Sequence, residues 1–176
     1  MSKSKAVFLD RDGVLNQEIG HYVWTLDKFK LVPGIVETLR VLKESGYLLI
    51  VVTNQAGIAK GEYTREDMHK CHDFFQAESG GLIDKFYFAA GHPLYSESLL
   101  RKPDSLMWEK AIAKFDIDPS QSWMVGDKER DLIPAKKLGV STIRILIDGY
   151  YDPNEKSIGD FVFDDVKDII NPILKR

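Results

Sequence analysis

The sequence predicts an α/β fold, a Rossmann-like three-layer sandwich with a mainly parallel central sheet and no large cap domain. Three observations predict it. Short apolar runs alternate with helical patterns along 176 residues, the order that gives a parallel sheet covered by helices. Those runs lack strict apolar–polar alternation, as strands buried on both faces do. No large insertion separates the first strand from the first helix, or the second strand from the third.

Each element has a local reason. Ala6-Val7-Phe8-Leu9 reads as a buried strand. Pro33-Gly34 opens a helix that places Ile35, Leu39 and Leu42 on one face, and Gly46 ends it. Leu48 to Val52 is a second strand. Thr64 caps a helix that runs to the Gly80-Gly81 break. Phe86-Tyr87-Phe88 is a third strand. Ser105 to Phe115 is helical, with Trp108, Ile112 and Phe115 aligned. Trp123-Met124-Val125 and Val140 to Ile147 are the fourth and fifth strands. Lys128 to Leu138 between them is helical, with Pro134 expected in its first turn or at a kink. Phe161-Val162-Phe163 precedes a last helix carrying Val166, Ile169, Ile170 and Ile173.

Composition narrows the function. The length suits one domain over residues 1–176. Net charge is −3, against the basic excess that nucleic-acid binding needs. The longest apolar stretch, Tyr47 to Val52, is far short of the ~20 residues that span a bilayer, and no signal-like run follows the start. A cytoplasmic monomer with no membrane or nucleic-acid partner is expected. The single cysteine, Cys71, excludes an intramolecular disulfide and reads as a packing residue. His69 and His72 read as surface residues, and Trp24, Trp108 and Trp123 as packing.

Ligands of such sheets bind beyond the carboxyl ends of the strands, and four polar clusters stand there. Strand one ends in Asp10-Arg11-Asp12-Gly13 and strand two in Thr53-Asn54-Gln55. Strand four ends in Gly126-Asp127-Lys128, with Asp131 following, and Arg101-Lys102-Pro103 precedes a helix. Any one of these has an ordinary reading as turn or cap chemistry. Four at one rim make a joint site. Converging aspartates form a hard-oxygen site suited to Mg²⁺. One carboxylate can act as nucleophile, and a second can serve as general acid and base. Thr53, Asn54 and Lys102 are fixed donors for a transferring phosphoryl group.

These residues, in this order, resemble the haloacid dehalogenase superfamily of phosphohydrolases. The longer stretches Phe8 to Asn16, Val51 to Gly61, Arg101-Lys102-Pro103 and Val125 to Asp131 resemble its branch of histidinol-phosphatases and heptose bisphosphatases. Gln55 to Gly61 and Gly126-Asp127-Lys128 lean to the heptose enzymes. The resemblance implies a Mg²⁺-dependent phosphatase for a small phosphorylated sugar, with a histidinol-phosphatase, a broad small-molecule phosphatase or a non-catalytic phosphosugar-binding protein as alternatives. It implies Asp10 as nucleophile and Asp12 as general acid/base. Thr53 and Lys102 would steady the phosphoryl group. Asp10, the backbone carbonyl of Asp12, and Asp127 would hold the metal. Asn54, Gln55, Arg101 and Lys128 would contact substrate, and Asp131 would orient Lys128 or a metal-bound water. Glu18, Gly20, His21 and Tyr22 lie in a stretch that would face the substrate.

One departure matters. Many members of that branch carry a cysteine-rich zinc loop before the Arg-Lys-Pro, whereas here the stretch offers His92 and no cysteine. No zinc is expected, and Leu94, Leu99 and Leu100 are expected to pack where metal would hold the chain.

Overall fold

A computed structural model describes residues 3–175. Six parallel strands form one sheet in the order β3-β2-β1-β4-β5-β6. They are β1 (Ala6–Leu9), β2 (Leu48–Asn54), β3 (Lys85–Ala89), β4 (Trp123–Gly126), β5 (Ser141–Ile145) and β6 (Phe161–Phe163). The helices are α1 (Ile35–Glu44), α2 (Arg65–Ser79), α3 (Leu106–Phe115), α4 (Glu129–Lys137) and α5 (Ile170–Leu174). The expected three-layer α/β architecture is therefore present.

The pleat of β1 shows how the layers form. Val7 and Leu9 enter one core, with Leu39 and Leu42 of α1, Phe75 of α2 and Ile173 of α5. Ala6 and Phe8 enter the other, with Met107 and Trp108 of α3 and Leu132 and Ala135 of α4. All four β1 side chains are fully buried, which is why the strand has no polar alternation.

The helix ends follow local chemistry. Thr64 Oγ1 accepts the Asp67 N–H at 3.1 Å, and the Asp67 carboxylate accepts the Thr64 N–H at 3.1 Å. This reciprocal pair satisfies two donors of the first turn. Pro134 does not take the first of its two expected places, the first turn. It lies in the sixth position of α4, beyond the first turn, with its ring buried.

The strand order places the site. Sequence order reverses between β1 and β4, which run side by side with Leu9 opposite Val125. Connections leave that point in opposite directions, so a crevice opens at the carboxyl ends of β1 and β4. The next residues are Asp10 and Asp127.

Candidate active site

The Asp10 N–H donates to Val125 O at 3.0 Å, so the ladder carries the nucleophile candidate one residue past β1. Lys102 arrives from the loop before α3. Its Nζ lies 2.8 Å from Asp10 Oδ1 and 2.7 Å from Asp131 Oδ1, and it donates to Val52 O at 3.0 Å. The Lys102 side chain is fully buried, so nothing but these oxygens replaces its lost hydration. Burial opposes its charge, yet the two carboxylates raise its pKa above the ordinary value.

Asp10, Asp127 and Asp131 form a cluster in which one ligand atom of each lies within 4.8 Å of the others. Asp131 reaches it because it is the third residue of α4, where its Oδ2 accepts the Lys128 N–H at 3.0 Å. Gly126 makes room, since a Cβ there would stand 2.4 Å from Asp131 Cβ. Gly13, at φ +86°, likewise leaves space beside Asp127, where a Cβ would sit 2.9 Å from its Cγ. Three carboxylates face two ammonium groups, Lys102 and Lys128, the latter 3.1 Å from Asp127 Oδ2. Burial pushes the Asp10 carboxyl up to about 6, against the pull of Lys102. Burial, with Asp131 and Asp10 adding to it, pushes Asp127 up to about 8. Asp127 Oδ2 and Asp131 Oδ1 are buried and accept no aligned hydrogen bond despite their lysine neighbours. Clustered buried hard oxygens of this kind, three carboxylates to two ammonium groups, fit a divalent cation.

Asp12 lies only two residues from Asp10 but in different surroundings. Its carboxylate accepts from Arg11 Nη2 at 2.8 Å, Asn16 Nδ2 at 3.0 Å and Gln55 Nε2 at 3.3 Å. Arg11 is buried and also donates to Val23 O at 2.6 Å. The carboxylate keeps about a quarter of its surface exposed and lines a cleft of about 670 Å³.

The other expected residues divide. Thr53 is buried, and its Oγ1 accepts from Gln55 Nε2 at 2.9 Å. Gln55, expected to contact substrate, is 1 % exposed with its amide engaged by Thr53, Asp12 and Tyr63. Asn54 borders the cleft, but its amide clamps the Lys102 backbone in both directions, at 3.0 and 3.2 Å. Lys128 borders the cleft and donates to Tyr150 O at 3.0 Å. Arg101 lines an adjoining groove and donates to Gly91 O at 3.4 Å. Burial lowers its pKa, and the nearby Arg130 lowers it further. Glu18, Gly20, His21 and Tyr22 do line the cleft.

Sequence reading missed Arg11, Asn16, Tyr63 and Arg130, and gave Asp131 a secondary part. For Asp131 a signal existed: Gly126 makes way for its side chain, and an acid at the third helical position is a capping signature. Two further expectations are corrected. Leu94 and Leu99 are 79 % and 68 % exposed, and of the three leucines only Leu100 packs on a core. His92 Nδ1, which accepts the Leu94 N–H at 3.2 Å, and Arg101 tie this loop together with polar bonds instead. His72 is buried, stacked on Phe86 with ring centroids 4.4 Å apart. Burial drives its pKa down to about 3. Cys71 is buried as expected.

A model of haloacid dehalogenase-like hydrolases matches residues 4–139. The chain belongs to the haloacid dehalogenase-like hydrolase family. It is 41% identical over 155 residues to the D-glycero-alpha-D-manno-heptose-1,7-bisphosphate 7-phosphatase of Burkholderia mallei, covering 83% of this chain and 82% of the relative. It is 39% identical to the D-glycero-beta-D-manno-heptose-1,7-bisphosphate 7-phosphatase of Haemophilus influenzae, covering 98% of each. The crystal structure of a D,D-heptose 1,7-bisphosphate phosphatase from B. bronchiseptica, complexed with magnesium and phosphate, superimposes with a TM-score of 0.83 at 26% identity, over 97% of this chain and 98% of that one. This haloacid dehalogenase-like hydrolase is a phosphoric monoester hydrolase. Among its described residues, no helix is long and apolar enough to cross a membrane.

Proposed function

We propose that the enzyme removes the 7-phosphate of a D-glycero-D-manno-heptose 1,7-bisphosphate through a phosphoryl group carried on Asp10. The observation that carries the mechanism is the buried cluster of Asp10, Asp127 and Asp131 around Lys102 at the β1–β4 crevice. The relatives' substrates support the choice of sugar.

The Asp10 carboxylate attacks phosphorus, forming an acyl phosphate and breaking the ester P–O bond. Asp12 gives its proton to the departing alkoxide and then, as carboxylate, takes one from the attacking water. That water displaces Asp10 and frees inorganic phosphate. Lys102 and Thr53 stabilise charge on the peripheral oxygens, which needs donors already in place. Asp10 and Asp127, with the Asp12 main chain, would hold Mg²⁺, and Asp131 would complete the charge around it. Bound there, Mg²⁺ offsets negative charge on the phosphoryl group. Lys128 and Arg101 contact the rest of the substrate. Asn54 and Gln55 act one step back, on Lys102 and Asp12.

The test is phosphate release from a panel: both anomers of the heptose bisphosphate, histidinol phosphate and a nitrophenyl phosphate, each with and without Mg²⁺. A kcat/KM for one heptose anomer at least about a hundredfold above the other substrates is expected, since a site built around a polar substrate discriminates on that scale or more. Preference for histidinol phosphate, or equal rates on all four, would replace the heptose assignment.

A further inference from the structure

Gln55 is held from behind by Tyr63, whose hydroxyl donates to Gln55 Oε1 at 2.7 Å. On its other side, Gln55 Nε2 donates to Thr53 Oγ1 and Asp12 Oδ2. A primary amide can present either end to a neighbour, since its oxygen and nitrogen exchange by a flip. Turned the other way, Oε1 would face the Asp12 carboxylate, and two acceptors would repel. The Tyr63 hydroxyl supports the orientation that serves Asp12 by giving its proton to Gln55 Oε1.

The ring that carries this hydroxyl is fixed on several sides. Tyr63 is 5 % exposed. Trp24 stacks on it with centroids 6.2 Å apart, and Tyr22 meets it edge-on at 5.8 Å. Gly57 presses so close that a Cβ there would stand 2.1 Å from Tyr63 Cε1. A phenylalanine ring would fill the same space, so the hydroxyl is not needed for packing.

We propose that Tyr63 is a positioning residue that, through Gln55, orients and polarises the Asp12 carboxylate for proton transfer. The proposal rests on the reading of Asp12 as general acid/base. Losing the hydroxyl leaves the buried Gln55 Oε1 without its donor and loosens the amide that donates to Asp12, leaving the Asp10 cluster untouched.

The experiment compares kcat/KM on an alkyl phosphate and a nitrophenyl phosphate for wild type, Asp12→Asn, Tyr63→Phe, Gln55→Leu and the Tyr63→Phe/Gln55→Leu double variant. The alkyl ester needs its leaving oxygen protonated and the nitrophenyl ester barely does. Tyr63→Phe should lower kcat/KM about tenfold on the alkyl ester and less than about threefold on the nitrophenyl ester, the scale of one hydrogen bond. Gln55→Leu should show the same bias, and adding Tyr63→Phe to it should cost less than about twofold more. A Tyr63→Phe loss equal on both esters, or undiminished in the Gln55→Leu background, overturns the proposal while Asp12→Asn remains biased. Should Asp12→Asn itself lose equally on both esters, the reading of Asp12 falls and the proposal falls with it.

Discussion

Asp10 and Asp12 belong to one turn and have opposite neighbourhoods. Asp10 looks inward, at Lys102 and two more buried carboxylates, in a pocket where negative charge exceeds positive. Asp12 looks outward, partly exposed, with donors from Arg11, Asn16 and Gln55 around it. β1 ends at Leu9 and the chain bends at Arg11, so the two side chains leave the strand end in different directions. In the proposed mechanism the inner site takes up a cation and holds the phosphoryl group. The outer site keeps a carboxylate aimed and in reach of water. The two roles proposed for these like residues thus follow from environment, not residue type.

The largest effect should come from removing the inner carboxylate. Asp10→Asn should cut turnover by at least ~10³-fold, because nucleophile and metal ligand are lost together. Folding should survive, since Lys102 keeps Asp131 at 2.7 Å and one repulsive charge is gone. Steady-state turnover with a thermal melt checks this, and more than a tenth of wild-type activity would sink the assignment.

The inner pocket also depends on a missing side chain. Gly126→Ala would push a methyl group into Asp131. A loss of ~1–3 kcal/mol in stability is expected from such overpacking, with weakened Mg²⁺ binding. Denaturant titration and metal titration read the two effects, and an unchanged metal affinity would show that Asp131 is dispensable there.

The raised carboxyls make a pH prediction. Asp10 at about 6 and Asp127 at about 8 bind protons more tightly folded than unfolded, where the value is 3.8. Their contribution to stability is therefore full below about 3.8 and lost as pH rises through about 6 and then about 8. The metal-free protein should melt lower at pH 8.5 than at pH 5.5, and Mg²⁺ should reverse the trend by occupying the charged cluster. A melt that rises with pH in the presence of a chelator would contradict this electrostatic account.

The smallest effect should lie outside both sites. Leu94→Ser and Leu99→Ser, at exposed positions, should each change stability by less than ~0.5 kcal/mol. A larger loss by denaturant titration would restore these leucines to a packing role.

These cases also mark what a sequence can disclose. The strands and the Asp10, Thr53, Lys102 and Asp127 positions were legible because apolar runs fix where strands end, and parallel strands bring those ends to one rim. The surroundings of Asp12 were not. Tyr63 reaches Gln55 only after the chain turns through Gly57, and Arg11 is turned by Val23, twelve residues on. The exposed loop was misread because three leucines without a period do not say which faces inward. His72 was misread because its partner, Phe86, lies on a separate strand. Polar character alone did not reveal that an imidazole would stack.

The central claim is that Asp10 carries the phosphoryl group. Enzyme mixed with labelled substrate and Mg²⁺ and quenched in acid within one turnover tests it most directly. The account predicts a hydroxylamine-sensitive label on the peptide containing Asp10. The label should accumulate to a higher level on the nitrophenyl ester in Asp12→Asn, where water attack slows, and should be missing in Asp10→Asn. Turnover by wild type with no label in excess of the Asp10→Asn background, or label on another residue, would contradict it.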